Sequence, residues 1–594
     1  MGILMTAVGS AGIDPGPKRS GRWVVVAMIG LCALGGCGGG GAGGGSAVPG
    51  GSTPPAAPAP APSPAPAPGP GASGASEAEL VSASKFVSRT TLGPSLPVIE
   101  TVAAMGPEAW LEAQFEVPQT VHADIVTRYG ERFGFEFASD PGPENYKRFA
   151  LIEAAITGED LLRQRVAFAL SQIFVVSDRV DLLHDDPYGL AIYWDLLATH
   201  AFGNYRDLLE AVTLSPVMGH YLSHANNARS NPATNTFPDE NYAREVMQLF
   251  SIGLFELNRD GTRRLGSDGA PIPTYSNTDV REYAKIFTGL TWGPESPGDP
   301  VVFGSDQDIL TTPMVMVDAF HEPGEKRLLG GAVVPAGNTG LEDVRLALDS
   351  LFEHPNTGPF IGRLLIQRLV TSNPSPAYVE RVARAFEGDA TSVRGDMRAV
   401  LRAVLLDPEA LTPDASTGGK LREPFVRWLG LFRGVGSSSS DGLYPLVGVL
   451  PAEGLQQFAL SAPSVFNFYL PDYAPPGELV ERGLVSPELQ ITNDSTVVGW
   501  PNIVALALFE GVADELAEQV STDVRIELGA WEAIAGDTDA LLDRIGLVFA
   551  GGALSPATRE VITRALTQLG PDPALRARIA LYLALISPDH VVEG

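Results

Sequence analysis

The chain has 594 residues, of which 44% are apolar, and a formal net charge of −29. Such an acidic chain argues against nucleic acid as a partner, because phosphate binding requires a basic surface. Its two cysteines, Cys32 and Cys37, both lie close to the N-terminus. The sequence after Cys37 therefore contains no disulfide, no thiolate nucleophile and no cysteine ligand for a metal.

The N-terminus has the pattern of a bacterial export signal. Three basic residues between positions 18 and 22 precede an apolar run, residues 23–34, that is too short for a convincing membrane span. The run leads into Leu34-Gly35-Gly36-Cys37, which resembles a lipobox with Cys37 as the lipid-accepting residue. We therefore expect residues 1–36 to be a lipoprotein signal peptide, with an ordinary secretory signal as the alternative. Gly38, in place of an aspartate, favours an outer-membrane lipoprotein facing the periplasm or the cell surface.

Residues 37–76 are rich in glycine, then in alternating proline and alanine. This composition cannot bury a core, and it predicts a flexible segment followed by a semi-rigid spacer. Residues 77–594 have the mixture of apolar and polar residues expected of a folded body. We therefore divide the chain into a signal peptide, a tether and one large domain.

The body reads as mainly α: a large multi-helix domain with long Pro/Gly-rich loops. Apolar periodicity predicts helices over 82–91, 107–115, 161–175, 193–200, 205–214, 278–290, 340–353, 359–370 and 376–386. Ser276 and Asp279 have the spacing of a capping box. Between Trp292 and Gly340 the pattern breaks into loops with short β-branched runs, which predicts a small β-hairpin. This break near 292–340 also leaves open a division into two helical lobes.

Two segments of the body resemble each other. Residues 203–216 align without gaps to residues 395–408, with glycine, arginine, leucine, alanine, valine and proline recurring at matching places. Each segment reads as an Asn or Asp cap, a helix and a stop before an X-Pro pair. We interpret the likeness as a repeated way of building a helix rather than as an ancient duplication.

The segment 237–250 predicts a helix with one apolar half and one densely polar half. Pro238 suits the first turn of such a helix. Asn241, Glu245 and Gln248 form one stripe at i, i+4 and i+7, and Glu240 and Arg244 are spaced for an ion pair beside it.

Three interpretations of this polar half are open. If it is buried, Glu245 needs a partner, and Arg163, Arg165 or Arg281 could supply one in a structural network. If it lines a cavity, Glu240, Asn241, Arg244 and Glu245 are candidate catalytic or ligand-binding residues. If it faces solvent, it has no chemical role. We favour the buried network.

Three histidines are further candidates for metal ligands or catalytic groups. His220 and His224 lie four residues apart, a spacing that places both imidazoles on one face of a helix and suits a metal. His321 and Glu322 could add ligands or catalytic groups. The zinc-protease pattern His-Glu-x-x-His fails here, because the residue after the gap is Glu325. His321 is equally well explained as a loop anchor that bonds to the backbone.

Several longer motifs together resemble one bacterial family. They lie at 163–172 (RQRVAFALSQ), 240–245 (ENYARE), 275–290, 321–326 (HEPGEK), 354–361, 370–376 and 463–469 (PSVFNFY). The family is the domain of unknown function 1800 group, and the likeness extends from about residue 82 to the end. Glu322 stands where the family more often has an aspartate. The resemblance implies an exported, mostly helical protein, often encoded beside another uncharacterised exported family, and it carries over no catalytic residue.

Three functions follow as hypotheses. We favour a lipid-anchored cell-envelope accessory or assembly factor that binds another exported protein. The alternative is an exported hydrolase or metal-dependent enzyme with a polar site at the 241–248 helix face. A third is polysaccharide binding through the aromatic loop 466–473. The sequence identifies no cofactor.

Overall fold

The structure is a computed structural model that describes residues 74–133, 144–305, 309–412, 419–446, 454–511 and 524–593. The predicted signal peptide, with Cys37, lies outside the described residues, as does the tether except for its last three residues. Within the part that is described, no helix has both the length and the apolar character needed to cross a membrane.

Helices make up most of the body, as the sequence predicts. The first half contains Glu77–Thr90, Leu96–Met105, Pro107–Glu116, His122–Phe133, Glu144–Thr157, Leu161–Ser171, Asp181–Asp185, Pro187–His200, Tyr205–Thr213, Pro216–Tyr221, Asn241–Gln248 and Asn277–Ile286. The second half contains Gly340–Glu353, Thr357–Leu369, Pro376–Glu387, Met397–Leu405, Pro408–Leu411, Pro424–Val435, Glu478–Glu481, Asp494–Ala505, Gly529–Glu532, Thr538–Phe549, Pro556–Thr567, Pro573–Leu585 and Pro588–Val591. Short 3-10 turns occupy Asp318–Phe320, Leu329–Gly331 and Pro487–Ile491, and a π turn occupies Leu506–Glu510.

The described strands are two residues long and pair antiparallel. Leu290–Thr291 pairs with Val315–Met316, Lys326–Arg327 with Val333–Val334, Lys420–Leu421 with Val592–Glu593, and Ser437–Ser438 with Arg525–Ile526. The hairpin predicted between residues 292 and 340 is confirmed by the second of these pairs. The mainly α fold class is confirmed as well.

One hydrophobic core crosses the region 292–340, where a division into two lobes was considered. Its buried residues run from Ala83 to Leu585, on both sides of that region. The helix Leu161–Ser171 lies at its centre, and the side chains from Val166 to Leu170 are completely buried. Each fully buried large apolar side chain contributes about 1.5–3 kcal/mol, so this helix is a main source of stability.

Polar caps set where several helices begin. The Ser276–Asp279 capping box predicted from the sequence is confirmed. The expected helix at 237–250 is shorter than predicted, because it spans Asn241–Gln248 and leaves Pro238 outside its first turn. Asp239 holds the preceding segment out of the helix: its backbone N–H donates to Asn227 Oδ1 at 2.9 Å, and its own carboxylate accepts from the Asn241 N–H at 2.7 Å.

The two similar segments meet in the structure. The Tyr205 N–H donates to the Gly395 carbonyl at 2.9 Å, and the Met397 N–H donates to the Gly203 carbonyl at 3.0 Å. The contact is reciprocal, so the starts of the two helices are related by local twofold symmetry. Both segments also use the expected cap, Asn204 in one and Asp396 in the other.

Candidate functional site

The helix Asn241–Gln248, called the signature helix from here on, buries its apolar half. Tyr242, Ala243, Val246 and Met247 are each at most 1% exposed. The Tyr242 hydroxyl lies 2.7 Å from Thr213 Oγ1 and thereby satisfies its hydrogen bonding inside the core. The apolar half fixes which residues of the polar half face outward.

Much of the polar half faces solvent. Asn241 is exposed. Arg244 Nη2 donates to Glu240 Oε2 at 3.2 Å, and the two side chains are 37% and 40% exposed. An exposed i, i+4 pair of this kind contributes only a few tenths of a kcal/mol. Glu240, Asn241 and Arg244 therefore form a solvated face.

Glu245 is the exception on this face. It is 6% exposed, and its Oε2 atom has no hydrogen-bond partner among the described residues. Burial raises the pKa of the Glu245 carboxyl, and the neighbouring Arg244 only partly opposes that rise. Tyr221 and Tyr275 are half-buried tyrosines close to Glu245. Burial raises the pKa of each tyrosine, and the negative charge of Glu245 raises it further. The Tyr275 hydroxyl donates to Gln248 Oε1 at 3.1 Å.

The arginine network expected around Glu245 does not form, so that interpretation was wrong. Arg163 donates to the backbone carbonyls of Ala198 and Val117. Arg165 donates to the Arg368 carbonyl at 2.6 Å, and Arg281 is exposed. Sequence spacing shows which arginines could share a core with Glu245, but it does not show where their long side chains point.

His321 is held in a closed interior cluster. It is 3% exposed, its Nδ1 lies 2.9 Å from the Thr288 carbonyl, and its Nε2 lies 3.1 Å from Asp343 Oδ2. Lys326 Nζ lies 2.5 Å from the same oxygen and 3.0 Å from His321 Nε2. Asn338 donates to the other Asp343 oxygen at 2.9 Å. These five residues staple the loop between 321 and 340 to the body.

Glu322 and Gly289 complete this staple. Glu322 Oε2 accepts from the Ser230 N–H at 3.0 Å, and the Glu322 N–H donates to Thr288 Oγ1 at 2.9 Å. Gly289 has φ +88°, and a Cβ there would lie 3.0 Å from the His321 backbone nitrogen. The loop-anchor interpretation of His321 therefore describes its contacts, and Glu322 does the same work.

His220 and His224 do not share a helical face, so the predicted i, i+4 geometry was wrong. The helix Pro216–Tyr221 ends before His224, because Ser223 adopts a left-handed conformation with φ +59°. His224 stacks on Tyr242 with ring centroids 3.9 Å apart, and its Nε2 lies 2.9 Å from the Thr213 carbonyl. Burial lowers the pKa of His224 to about 4. In the described ranges, no three His, Cys, Asp or Glu side chains are grouped to hold a metal ion.

The aromatic loop mostly packs inward. Phe468 and Tyr469 are 7% and 1% exposed, and Phe466 is 45% exposed. Asn467 forms the turn between them with φ +65°. A single exposed ring is a small platform for stacking on a sugar.

A second buried polar cluster was not singled out from the sequence. Lys420 Nζ donates to the Arg368 carbonyl at 2.8 Å and lies 3.6 Å from Glu423 Oε1 and 3.3 Å from Glu488 Oε1. Glu423 Oε2 accepts from two buried amides, Gln172 at 2.5 Å and Gln457 at 2.9 Å. These residues are at most 5% exposed.

Burial and neighbouring charges shift the pKa values of the two carboxyl groups in this cluster. Burial alone would raise the pKa of Glu423, but Lys420, Arg165 and Arg368 outweigh it and hold that pKa below its usual value. Burial raises the pKa of Glu488, and Lys420 only partly opposes the rise. The pKa values of the two carboxyl groups are therefore shifted in opposite directions.

A protein-family model described as "Protein of unknown function (DUF1800)" matches residues 85–592. The chain belongs to the DUF1800 family. The comparisons with curated proteins and with solved structures gave no match.

Three of the DUF1800 motifs contribute to the two buried clusters. The motif at 163–172 supplies Arg165 and Gln172 to the Lys420 cluster, and the motif at 463–469 supplies Tyr469, whose hydroxyl donates to Gln172 Oε1 at 3.3 Å. The motif at 321–326 supplies His321 and Lys326 to the loop staple. A usable signal existed in the sequence: Arg165 and Gln172 are polar residues inside an otherwise apolar helical run.

Proposed function

We propose that this protein is a lipid-anchored envelope protein that acts by binding another exported protein. The lipobox-like Leu34-Gly35-Gly36-Cys37 and the tether at 37–76 support an anchored body. A Pro/Ala spacer extends about 3.1 Å per residue, so this tether would hold the body tens of ångströms from the membrane. Such a reach suits contact with a partner.

An exposed apolar patch carries the binding part of the proposal. The patch consists of Val301, Val302, Phe303 and Phe320 on two loops, and we call it the Phe320 patch. The Phe303 and Phe320 rings stack with centroids 4.0 Å apart, yet Phe320 remains 40% exposed and Val302 remains 59% exposed. Adjacent apolar side chains left in water are typical of protein-interaction surfaces.

The Phe320 patch stands on a rigid support. The Phe320 carbonyl accepts from the Arg229 N–H at 2.8 Å, and the next residue is His321, the centre of the loop staple. Because the loop is already ordered, binding a partner would cost little additional conformational entropy. On this proposal, the contacts among His321, Lys326 and Asp343 serve to hold the loop in the conformation that binds the partner.

The net charge of the chain indicates the charge of the partner's surface. With a formal net charge of −29, this protein attracts surfaces that are basic. The partner we propose is therefore an exported protein with an apolar contact surface bordered by Lys or Arg.

Cross-linking in intact cells tests this proposal. We expect tagged full-length protein to recover one exported partner, and Phe320→Ser to reduce its recovery about tenfold or more, because an aromatic anchor is worth over 1.4 kcal/mol. Val393→Ser is the matched control, since Val393 is an exposed valine, 69% accessible, on another loop. Equal recovery with Phe320→Ser, or no partner from the wild type, would refute the proposal.

One observation favours an exported hydrolase as a second candidate. Glu245 combines a raised pKa, a buried Oε2 with no hydrogen-bond partner among the described residues, and two neighbouring tyrosines, and general acids often have such surroundings. Under that alternative, Glu245→Gln abolishes function while the protein still folds. Circular dichroism together with complementation of a deletion strain distinguishes the two candidates.

A further inference from the structure

A small cavity lies where the first helix of the body meets its last described strand. It opens to solvent, and its empty space, counted out to the surface, is about 290 Å³. Lys85 and Arg89 line it from the helix Glu77–Thr90. Arg422 and Glu593 line it from two paired, antiparallel segments. The cavity therefore brings three cationic side chains and one carboxylate together.

The two cations on the helix have donors left over. Lys85 is half-buried and makes neither a hydrogen bond nor an ion pair with a described residue. Arg89 is 5% exposed, and its one hydrogen bond to a described residue runs from Nη1 to the Ala410 carbonyl. Its Nε and Nη2 have no such partner but are not fully enclosed, so an ion in the cavity could reach them. Lys85 and Arg89 also share one helix face four residues apart, where like charges repel each other.

The carboxylate in the cavity balances one of the three cations. Glu593 Oε1 accepts from Arg422 Nε at 2.7 Å, and Arg422 Nη1 also donates to the Phe549 carbonyl. Glu593 attracts the Arg89 guanidinium electrostatically, but no ion pair joins these two described side chains. The lining side chains thus leave two positive charges, on Lys85 and Arg89, without an ion-pair partner among the described residues.

Glu593 also restricts which anion fits between these groups. A carboxylate is a pure acceptor, so it repels an oxyanion that carries no proton. Hydrogen phosphate has two negative charges and one P–OH group, which donates to a carboxylate while the other oxygens accept from ammonium and guanidinium groups. We propose that the cavity binds inorganic phosphate in this form, with Lys85 and Arg89 donating to its oxygens and Glu593 accepting from its P–OH.

Isothermal titration calorimetry of the full chain in detergent, at about pH 8, tests the site. Phosphate and sulfate are titrated at the same ionic strength, so that the two dianions differ chiefly in the proton that phosphate keeps. We expect phosphate to bind with one ion per chain and sulfate to bind about tenfold more weakly or less, because sulfate has no proton to donate to Glu593. An absence of saturable phosphate binding, or equal affinities for the two ions, would overturn the proposal.

Variants locate the ion. Lys85→Gln should weaken phosphate binding about tenfold or more, because it removes one charged donor from the cavity. Lys285→Gln is the matched control and should bind phosphate as the wild type does, since Lys285 is also half-buried on a helix but is paired with Glu282 at 2.5 Å. Glu593→Gln should reduce the preference for phosphate over sulfate, because an amide can donate to sulfate. Unchanged phosphate affinity in Lys85→Gln would place the ion elsewhere and overturn the assignment.

Crystals of the wild type soaked in arsenate provide a test that does not depend on how the variants fold. Arsenate has the shape of phosphate and also keeps one proton near neutral pH. The expected result is an anomalous arsenic peak in the cavity, with its oxygens within hydrogen-bond reach of Lys85 Nζ and the Arg89 guanidinium. Ordered water in the cavity without an arsenic peak would show that these cations are only hydrated, and the proposal would fail.

Discussion

Asp343 is the carboxylate that neutralises the Lys326 ammonium in the loop staple, so its replacement tests the staple directly. It is 1% exposed and lies within hydrogen-bond reach of His321, Lys326 and Asn338. Asp343→Asn keeps the shape but leaves the Lys326 ammonium buried without an anion. Stranding one partner of a buried ion pair costs about 3–5 kcal/mol, and we expect that loss in the free energy of unfolding.

The assay is urea unfolding at pH 7, with Asp349→Asn as the control. Asp349 also accepts from an arginine, Arg206 Nε at 2.5 Å, but its side chain is 57% exposed. We expect the control to lose less than about 1 kcal/mol, as is typical of an exposed ion pair. If Asp343→Asn is no more destabilised than Asp349→Asn, the staple does not hold the loop and the account of His321 fails.

Asp343 also makes the stability of the protein depend on pH. Burial alone would raise the pKa of Asp343, but hydrogen bonds from Lys326, His321 and Asn338 lower it below its usual value. The stabilisation is therefore complete above the unfolded-state pKa of about 3.9 and is lost as the pH falls through the lower folded-state pKa. Asp343→Asn should remove this part of the acid sensitivity.

Three further predictions concern other residues. His224 has a pKa of about 4 in the folded protein, so its contribution to the free energy of unfolding is complete above pH 6.5 and falls by up to about 3 kcal/mol on acidification to pH 4. In urea titrations, the stability of His224→Phe should therefore depend less on acid pH than that of the wild type. The pKa of Glu245 is raised, so its carboxyl costs stability as the pH rises through that pKa, and Glu245→Gln should stabilise the protein by about 1 kcal/mol at pH 7 but not at pH 3. Cys37→Ser should prevent radiolabelled fatty acid from being incorporated and should move the protein from the membrane to the soluble fraction, whereas unchanged labelling would exclude Cys37 as the lipid attachment site.

Local signals in the sequence were sufficient for most helices. The pattern that predicts a helix over 340–353 matches Gly340–Glu353, because a capping box and regular apolar spacing both act within the segment. The start of the signature helix was misplaced for a non-local reason: Asn227 binds the Asp239 backbone and holds it out of the helix. The His220–His224 prediction failed because Ser223 adopts a left-handed backbone conformation that ends the helix, and sequence spacing does not reveal this conformation.

The candidate site was less predictable than the fold. The partners of His321, namely Asp343 and Lys326, lie on different elements, and no spacing rule connects His321 with Asp343. The Arg165 side chain reaches the backbone carbonyl of Arg368 across 203 positions of sequence. Only the polar residues within an apolar helix, such as Arg165, gave a local sign that a buried polar cluster was present.

Complementation of a deletion strain is the most direct test of the central claim that this protein acts by binding. Phe320→Ser and Glu245→Gln would each be expressed from the native locus, after circular dichroism shows that both are folded. The account predicts that Phe320→Ser fails to restore function and that Glu245→Gln restores it. Restoration by Phe320→Ser and failure of folded Glu245→Gln would contradict the account and identify the Glu245 carboxyl as the functional group.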